Sequence, residues 1–254
     1  MLTILGPAKT ISTSAHGIAV KGTYPQYLDQ ANELVEQIRK YSPARLKNLM
    51  KVSDKLATLT HERYTAWHSN YTEEEGHPAI LAFSGEVFNG LRARSLSKED
   101  LSFAQGHVRI LSGLYGVLRP LDLILPYRLE MGTRLTNSRG RNLYEYWKKI
   151  IPENIAAETG KNEPKILINL ASNEYFKSVQ AASFPYGIIT PVFKESDGTG
   201  FRNVTIYAKK ARGMMLRFII QNRIDNPEHI KAFDLDGYYF SNDLSGPNEW
   251  LFCR

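Results

Sequence analysis

Strand-like runs rich in apolar residues recur along the chain at Leu2–Leu5, 79–83, 108–111, Ile166–Leu170, 188–193 and 203–208. Several show no polar alternation, the pattern of strands covered on both faces of a sheet. Ser196-Asp197-Gly198-Thr199-Gly200 separates two of these runs and predicts a hairpin, so the sheet is expected to be parallel in part and antiparallel in part. Residues 238–240 and 250–252 predict a last short pair.

Segments with helical periodicity alternate with the strands. Residues 25–41 place Leu28, Ala31, Leu34, Val35 and Ile38 on one face, with Pro25 expected in the first turn. Ser42-Pro43 predicts a capped restart, and the chain then reads as short helix, tight turn, short helix over 42–57. Ser97-Lys98-Glu99-Asp100 has the capping pattern that opens a helix to about residue 105. Further helices are expected at 143–150 and 211–223. This order predicts a mixed α/β (α+β) fold: one compact domain over 1–254, with a mixed sheet flanked by helices.

Composition narrows the classes. With 254 residues, 43% hydrophobic and 23% charged, the chain is expected to bury a core large enough to offset its ordering entropy. No apolar run approaches the ~20 residues of a membrane helix, and Met1-Leu2-Thr3-Ile4 reads as a strand, not as a secretion signal. A single cysteine, Cys253, allows no internal disulfide, which fits a reducing, cytoplasmic setting. The six histidines show no HxH or HExxH spacing, so neither a metal nor another cofactor is expected. Lys+Arg exceed Asp+Glu by 32 to 26, an excess whose meaning depends on where the cations fall.

They fall in clusters. Around the 42–57 helical pair stand Arg45, Lys47, Lys51 and Lys55, with Ser53 at the start of the second helix. This arrangement is similar to a helix-hairpin-helix, in which turn amides and a helix N-terminus hold a DNA phosphate, although the usual hairpin glycines are absent. The bland alternative is a helical pair with a solvated basic face. A second cluster, Lys209, Lys210 and Arg212, is expected at a helix start following the 203–208 strand. Cations are unfavourable there unless an anion neutralises them. A third region, residues 112–130, is rich in Gly, Pro, Tyr and Arg and follows a strand end. Arg119 and Arg128 there can grip phosphate or carboxylate, or brace a loop through Asp122 and Glu130. Lys9 follows the first strand, and Asn173, Glu174 and Lys177 follow another, so all four are candidates for one crevice. No P-loop, GxSxG elbow or dinucleotide fingerprint is present.

Gly6-Pro7-Ala8-Lys9-Thr10, Ser53-Asp54-Lys55-Leu56-Ala57, residues 111–132, residues 169–177 and Tyr207-Ala208-Lys209-Lys210-Ala211-Arg212-Gly213 together resemble the YaaA peroxide-stress protein family, in order along the whole chain. Gly6 departs from it, since the family's first motif has serine there. The resemblance implies a compact mixed α/β fold with a helix-hairpin-helix at 42–57 and a basic cleft at Lys9, Arg119, Arg128, Lys177, Lys209, Lys210 and Arg212. It also implies binding to double-stranded or distorted DNA, protection against hydrogen peroxide, and a link to lower free intracellular iron. The leading expectation is therefore a monomeric, cytoplasmic DNA-binding stress protein. The alternatives are an enzyme of glycosylase or lyase type acting on damaged bases or nucleotides through Lys9, Asn173, Glu174 or Lys177, and an iron-sequestering protein.

Overall fold

A computed structural model describes residues 1–14 and 20–254, and His16 lies outside them. The chain begins with β1 (Leu2–Leu5), all four residues buried, and a two-residue β2 (Thr10–Ile11). Three helices follow: α1 (Leu28–Arg39), α2 (Pro43–Met50) and α3 (Asp54–Ala66). The periodic residues Ala31, Leu34, Val35 and Ile38 form the buried face of α1, while Pro25 precedes the helix. A compact stretch contains β3 (His77–Pro78), α4 (Ala79–Ala82), β4 (Phe83–Ser84), α5 (Glu86–Leu91) and α6 (Lys98–His107). Ser97 and Asp100 close the expected capping box at the start of α6. Next come β5 (Val108–Ser112), β6 (Gly116–Leu118) and β7 (Leu123–Ile124), then α7 (Leu143–Tyr146) and α8 (Ile150–Gly160). The chain ends with β8 (Ile166–Leu170), α9 (Asn173–Phe176), β9 (Gly187–Ser196), β10 (Phe201–Arg202), α10 (Thr205–Gln221), β11 (Tyr239–Ser241) and β12 (Glu249–Cys253).

Among the described residues, the main sheet has eight strands in the order β11-β12-β9-β8-β1-β5-β6, with β10 paired to β9. Its centre is parallel: β1 lies between β5 and β8, β8 runs parallel to β9, and β9 to β12. The additions β6, β10 and β11 are antiparallel. The mixed sheet, the 196–200 hairpin and the C-terminal pair follow the expected pattern. From β1 the chain moves outward to β5 and β6. It then returns to the other side of β1 as β8 and continues to β9 and β12. The direction of winding therefore reverses between β1 and β8, and the loops leaving their carboxyl ends diverge to leave a crevice.

Four segments depart from expectation. Residues 79–83 form the helical turn α4 plus a short bridge, because the Ala79 and Ile80 amides donate to the carbonyls of Asp122 and Pro120, not to a strand. Residues 203–208 are not a strand: β10 ends at Arg202, and the Ala208 amide already donates to Val204 inside α10. Residues 143–150 divide at Trp147 between α7 and α8. The helix expected at 211–223 begins six residues earlier, at Thr205, so Lys209, Lys210 and Arg212 lie in its second and third turns. The positive end of the dipole is spent within the first turn, so the predicted electrostatic penalty for these cations does not apply. Helix α10 crosses α5 with almost no gap: a Cβ at Gly213 would sit 1.7 Å from the Val87 carbonyl oxygen, and one at Gly90 would sit 2.1 Å from that of Lys210. The buried apolar residues form one cluster extending from Met1 to Phe252.

Candidate functional site

The crevice between the carboxyl ends of β1 and β8 is a cavity of about 680 Å³. Its walls come from the loop after β1 (Gly6 to Thr10), the start of α5, residues 127–130, the β8–α9 turn, and the first half of α10. Tyr127 is anchored at the base by a 2.7 Å hydrogen bond with Ser112. Tyr175 is buried beside it, and burial pushes both phenols well above the ordinary tyrosine range. A Cβ at Gly6 would meet Tyr175 and the Ser172 amide at ordinary contact distance, so space alone does not demand glycine there.

One carboxylate organises two of the predicted cations. Glu130 pairs with Lys9 at 2.6 Å through one oxygen and with Arg128 at 3.0 Å through the other. Lys9 remains largely exposed, whereas Arg128 is mostly covered, with its Nε buried and without a partner. Glu174 accepts a 2.8 Å hydrogen bond from the Gly132 amide, which fixes it on the same side. The opposite wall is different. Arg212 lines the cavity with no hydrogen bond or ion pair among the described residues, and burial alone lowers its pKa from the ordinary guanidinium value. Lys209, one helical turn before it, is exposed on the same lining.

A second depression of about 730 Å³ shares Lys9, Arg128, Glu130 and Glu174 with the cavity and extends to Lys51 and Arg134. The two adjoin along these four residues and together form a groove from α10 to the turn between α2 and α3. Counting both linings, six cations (Lys9, Lys51, Arg128, Arg134, Lys209, Arg212) stand against three carboxylates (Glu86, Glu130, Glu174).

The turn itself is built by its sequence. Ser42 caps α2, accepting from the Arg45 amide, and Ser53 caps α3, accepting from the Leu56 amide. Between them Lys51 takes a left-handed conformation (φ 53°), at the place where a glycine is the usual choice. Lys51 and Lys55 are exposed, with no ion pair among the described residues, whereas Lys47 is held by Asp54 at 2.9 Å. The Arg45 guanidinium lies 3.6 Å over the Tyr41 ring.

Of the seven residues expected in the basic cleft, Arg119, Lys177 and Lys210 fall outside the groove lining, as do Arg45, Lys47, Ser53 and Lys55 of the helical pair. Arg119 binds the buried Asp122 at 2.8 Å and lines a separate depression with Lys21 and Lys98, so it braces a loop, as the bland reading allowed. Burial pushes the Asp122 carboxyl up against the pull of hydrogen bonds from Thr23 and Arg119. Lys177 lies 5.0 Å over the Tyr144 ring, and Lys210 turns to Asp236 at 3.3 Å. Asn173 lines the cavity as expected, beside Glu174. The sequence reading missed Glu86, Asn203, Thr205 and Arg134. Glu86 had a usable signal, since it follows an apolar run as a ligand loop does. Arg134 lies just past the recognisable 111–132 block. The family model for the peroxide stress protein YaaA matches residues 1–244 of the chain.

Proposed function

Because the chain belongs to the peroxide stress protein YaaA family, we propose that it serves peroxide defence as a cytoplasmic, monomeric protein that binds double-stranded or distorted DNA along the groove described above. The observation that carries this reading is the adjacency of the two depressions, which share Lys9, Arg128, Glu130 and Glu174. Cations from the β1 loop, the 128–134 segment, the α2–α3 turn and α10 line these adjoining depressions with a twofold excess over carboxylates. Such a row can replace the counterions of a phosphate backbone, the main source of affinity for duplex DNA. The α2–α3 turn then acts as a helix-hairpin-helix. Lys51 supplies the left-handed turn, and the first two amides of the 13-residue α3, those of Asp54 and Lys55, which precede the amides taken by the Ser53 cap, face a phosphate beside the Lys55 side chain. The reading also carries the link to free intracellular iron. Metal content of protein purified from peroxide-treated cells separates iron held by the chain from iron lowered by another route.

The test is fluorescence anisotropy with a labelled duplex at several salt concentrations. Log affinity is expected to fall linearly with log salt, by about one unit per phosphate contacted. The double variant Lys51→Glu/Lys55→Glu is expected to bind at least about tenfold more weakly on every sequence, with an unchanged circular dichroism spectrum. Undiminished binding by that variant rejects the hairpin assignment.

A second reading, an enzyme acting on damaged bases or nucleotides, is favoured by the position of the cavity at the reversal of winding, with Asn173 and Glu174 on its lining. A lysine nucleophile needs burial or neighbouring cations to free its amine, but Lys9 is exposed and held by Glu130. Borohydride trapping of a covalent adduct with damaged DNA, abolished by Lys9→Ala, would establish the enzyme. No adduct and no turnover of damaged substrates leaves the binding role alone.

A further inference from the structure

The cavity between β1 and β8 differs in character from the open half of the groove. It is lined by buried rings and aliphatic groups (Phe88, Tyr127, Tyr175, Leu170), and its charged groups are arranged asymmetrically. Lys9 and Arg128 are already engaged by Glu130, whereas Arg212 and Lys209 have no carboxylate partner. The latter pair are three residues apart on α10 and therefore share a face. A guanidinium and an ammonium side by side match a phosphate group, one non-bridging oxygen on the arginine and one on the lysine, a pattern that a monoester and the diester of a strand both present. The cavity as a whole carries four cations and three carboxylates, an excess of one. That balance suits a single phosphate and disfavours a di- or triphosphate. Glu86, Glu130 and Glu174 offer acceptors for amino and hydroxyl donors on the body of a ligand, and Asn203 and Thr205 add neutral polar groups at the cationic end. A cavity of about 680 Å³ lies within the size range of small-molecule sites.

From these features we infer that the cavity is a binding site for a nucleoside monophosphate, with its phosphate on Arg212 and Lys209 and its base against the Phe88, Tyr127 and Tyr175 lining. The inference stands on this cavity and does not require the duplex-binding reading, whose hairpin residues Lys51 and Lys55 lie outside it. The nucleotide can arrive free or as one unstacked unit of a strand.

The full chain is titrated with AMP, adenosine and inorganic phosphate by calorimetry, with no DNA present. AMP is expected to bind saturably, and adenosine and phosphate at least about tenfold more weakly, since each lacks half of the recognised chemistry. Arg212→Gln is expected to weaken AMP binding at least about tenfold, and Lys209→Met several-fold, while Lys98→Gln, outside the groove, leaves it unchanged. The exposed Lys209 provides a variant that keeps the fold if Arg212→Gln does not, as thermal melting would show. No saturable AMP binding, adenosine binding as tight as AMP, or wild-type affinity in Lys209→Met would each overturn the inference. A final arm separates the sources. Stronger displacement of AMP by a duplex with one unpaired adenosine than by its fully paired counterpart assigns the nucleotide to the strand, and equal displacement assigns it to the free pool.

Discussion

At the scale of single residues, Glu130 holds Lys9 and Arg128 at the centre of the groove, one cation on each oxygen. The two contacts differ in kind. Lys9 reaches across solvent, where an ion pair contributes about 0–1 kcal/mol. Arg128 is mostly covered and would be left with an uncompensated charge if the carboxylate were removed. Glu130→Gln is therefore expected to lower stability by about 1–3 kcal/mol, read as a shift of the urea midpoint. The same change removes one of three carboxylates from the groove, so duplex affinity is expected to rise several-fold at low salt. A variant that is both less stable and a weaker binder would mean that Glu130 orders the groove more than it neutralises it. Arg212 is the counterpart case: its guanidinium has no carboxylate partner, and the fold tolerates it because it borders open space.

Among the elements, the α2–α3 turn separates conformational fitness from charge. Lys51 sits at φ 53° and ψ 52°, where a side chain costs about 1 kcal/mol relative to glycine. Lys51→Gly is expected to raise stability by about 0.5–1 kcal/mol while weakening duplex binding, and denaturant melts and anisotropy on the same preparation check both signs. If both properties fell together, the lysine would be a structural member of the turn. The turn was legible in the sequence because Ser42, Pro43 and Ser53 are local signals acting within a few residues. The same holds for β1, β8 and the capping box of α6. Residues 79–83 were not legible, because a short apolar run buried all round looks alike as helix or strand. Residues 203–208 misled for another reason. Ile206 and Tyr207 are large and apolar yet exposed on α10, so the run has a strand's composition without a strand's burial. For the site, position after a strand end led to Lys9, Asn173 and Glu174, which line one cavity. It could not exclude Arg119, because the partner that takes Arg119 away from the groove is a buried aspartate in its own loop.

Over the whole molecule, the distribution of cations matters more than the net charge of +6. Lys98 lies in a depression that shares no lining residue with the groove, whereas Lys209 lies in the groove itself. Lys209→Gln is expected to reduce the magnitude of the log–log salt slope for duplex binding by about one, and Lys98→Gln to leave it unchanged. Equal slopes for the two variants would place the polyanion elsewhere on the surface. The crossing of α5 and α10, held tight by Gly90 and Gly213, has a further consequence. It brings residues 205–212 against a pocket whose first wall was laid down at residue 6, so no N-terminal fragment contains the complete enclosure. During synthesis the β1 loop must wait, open to solvent, until α10 has been made and docked. An occupant that binds only the finished enclosure would act as a late clamp, adding about 2.7 kcal/mol against global unfolding at a hundredfold excess over its dissociation constant.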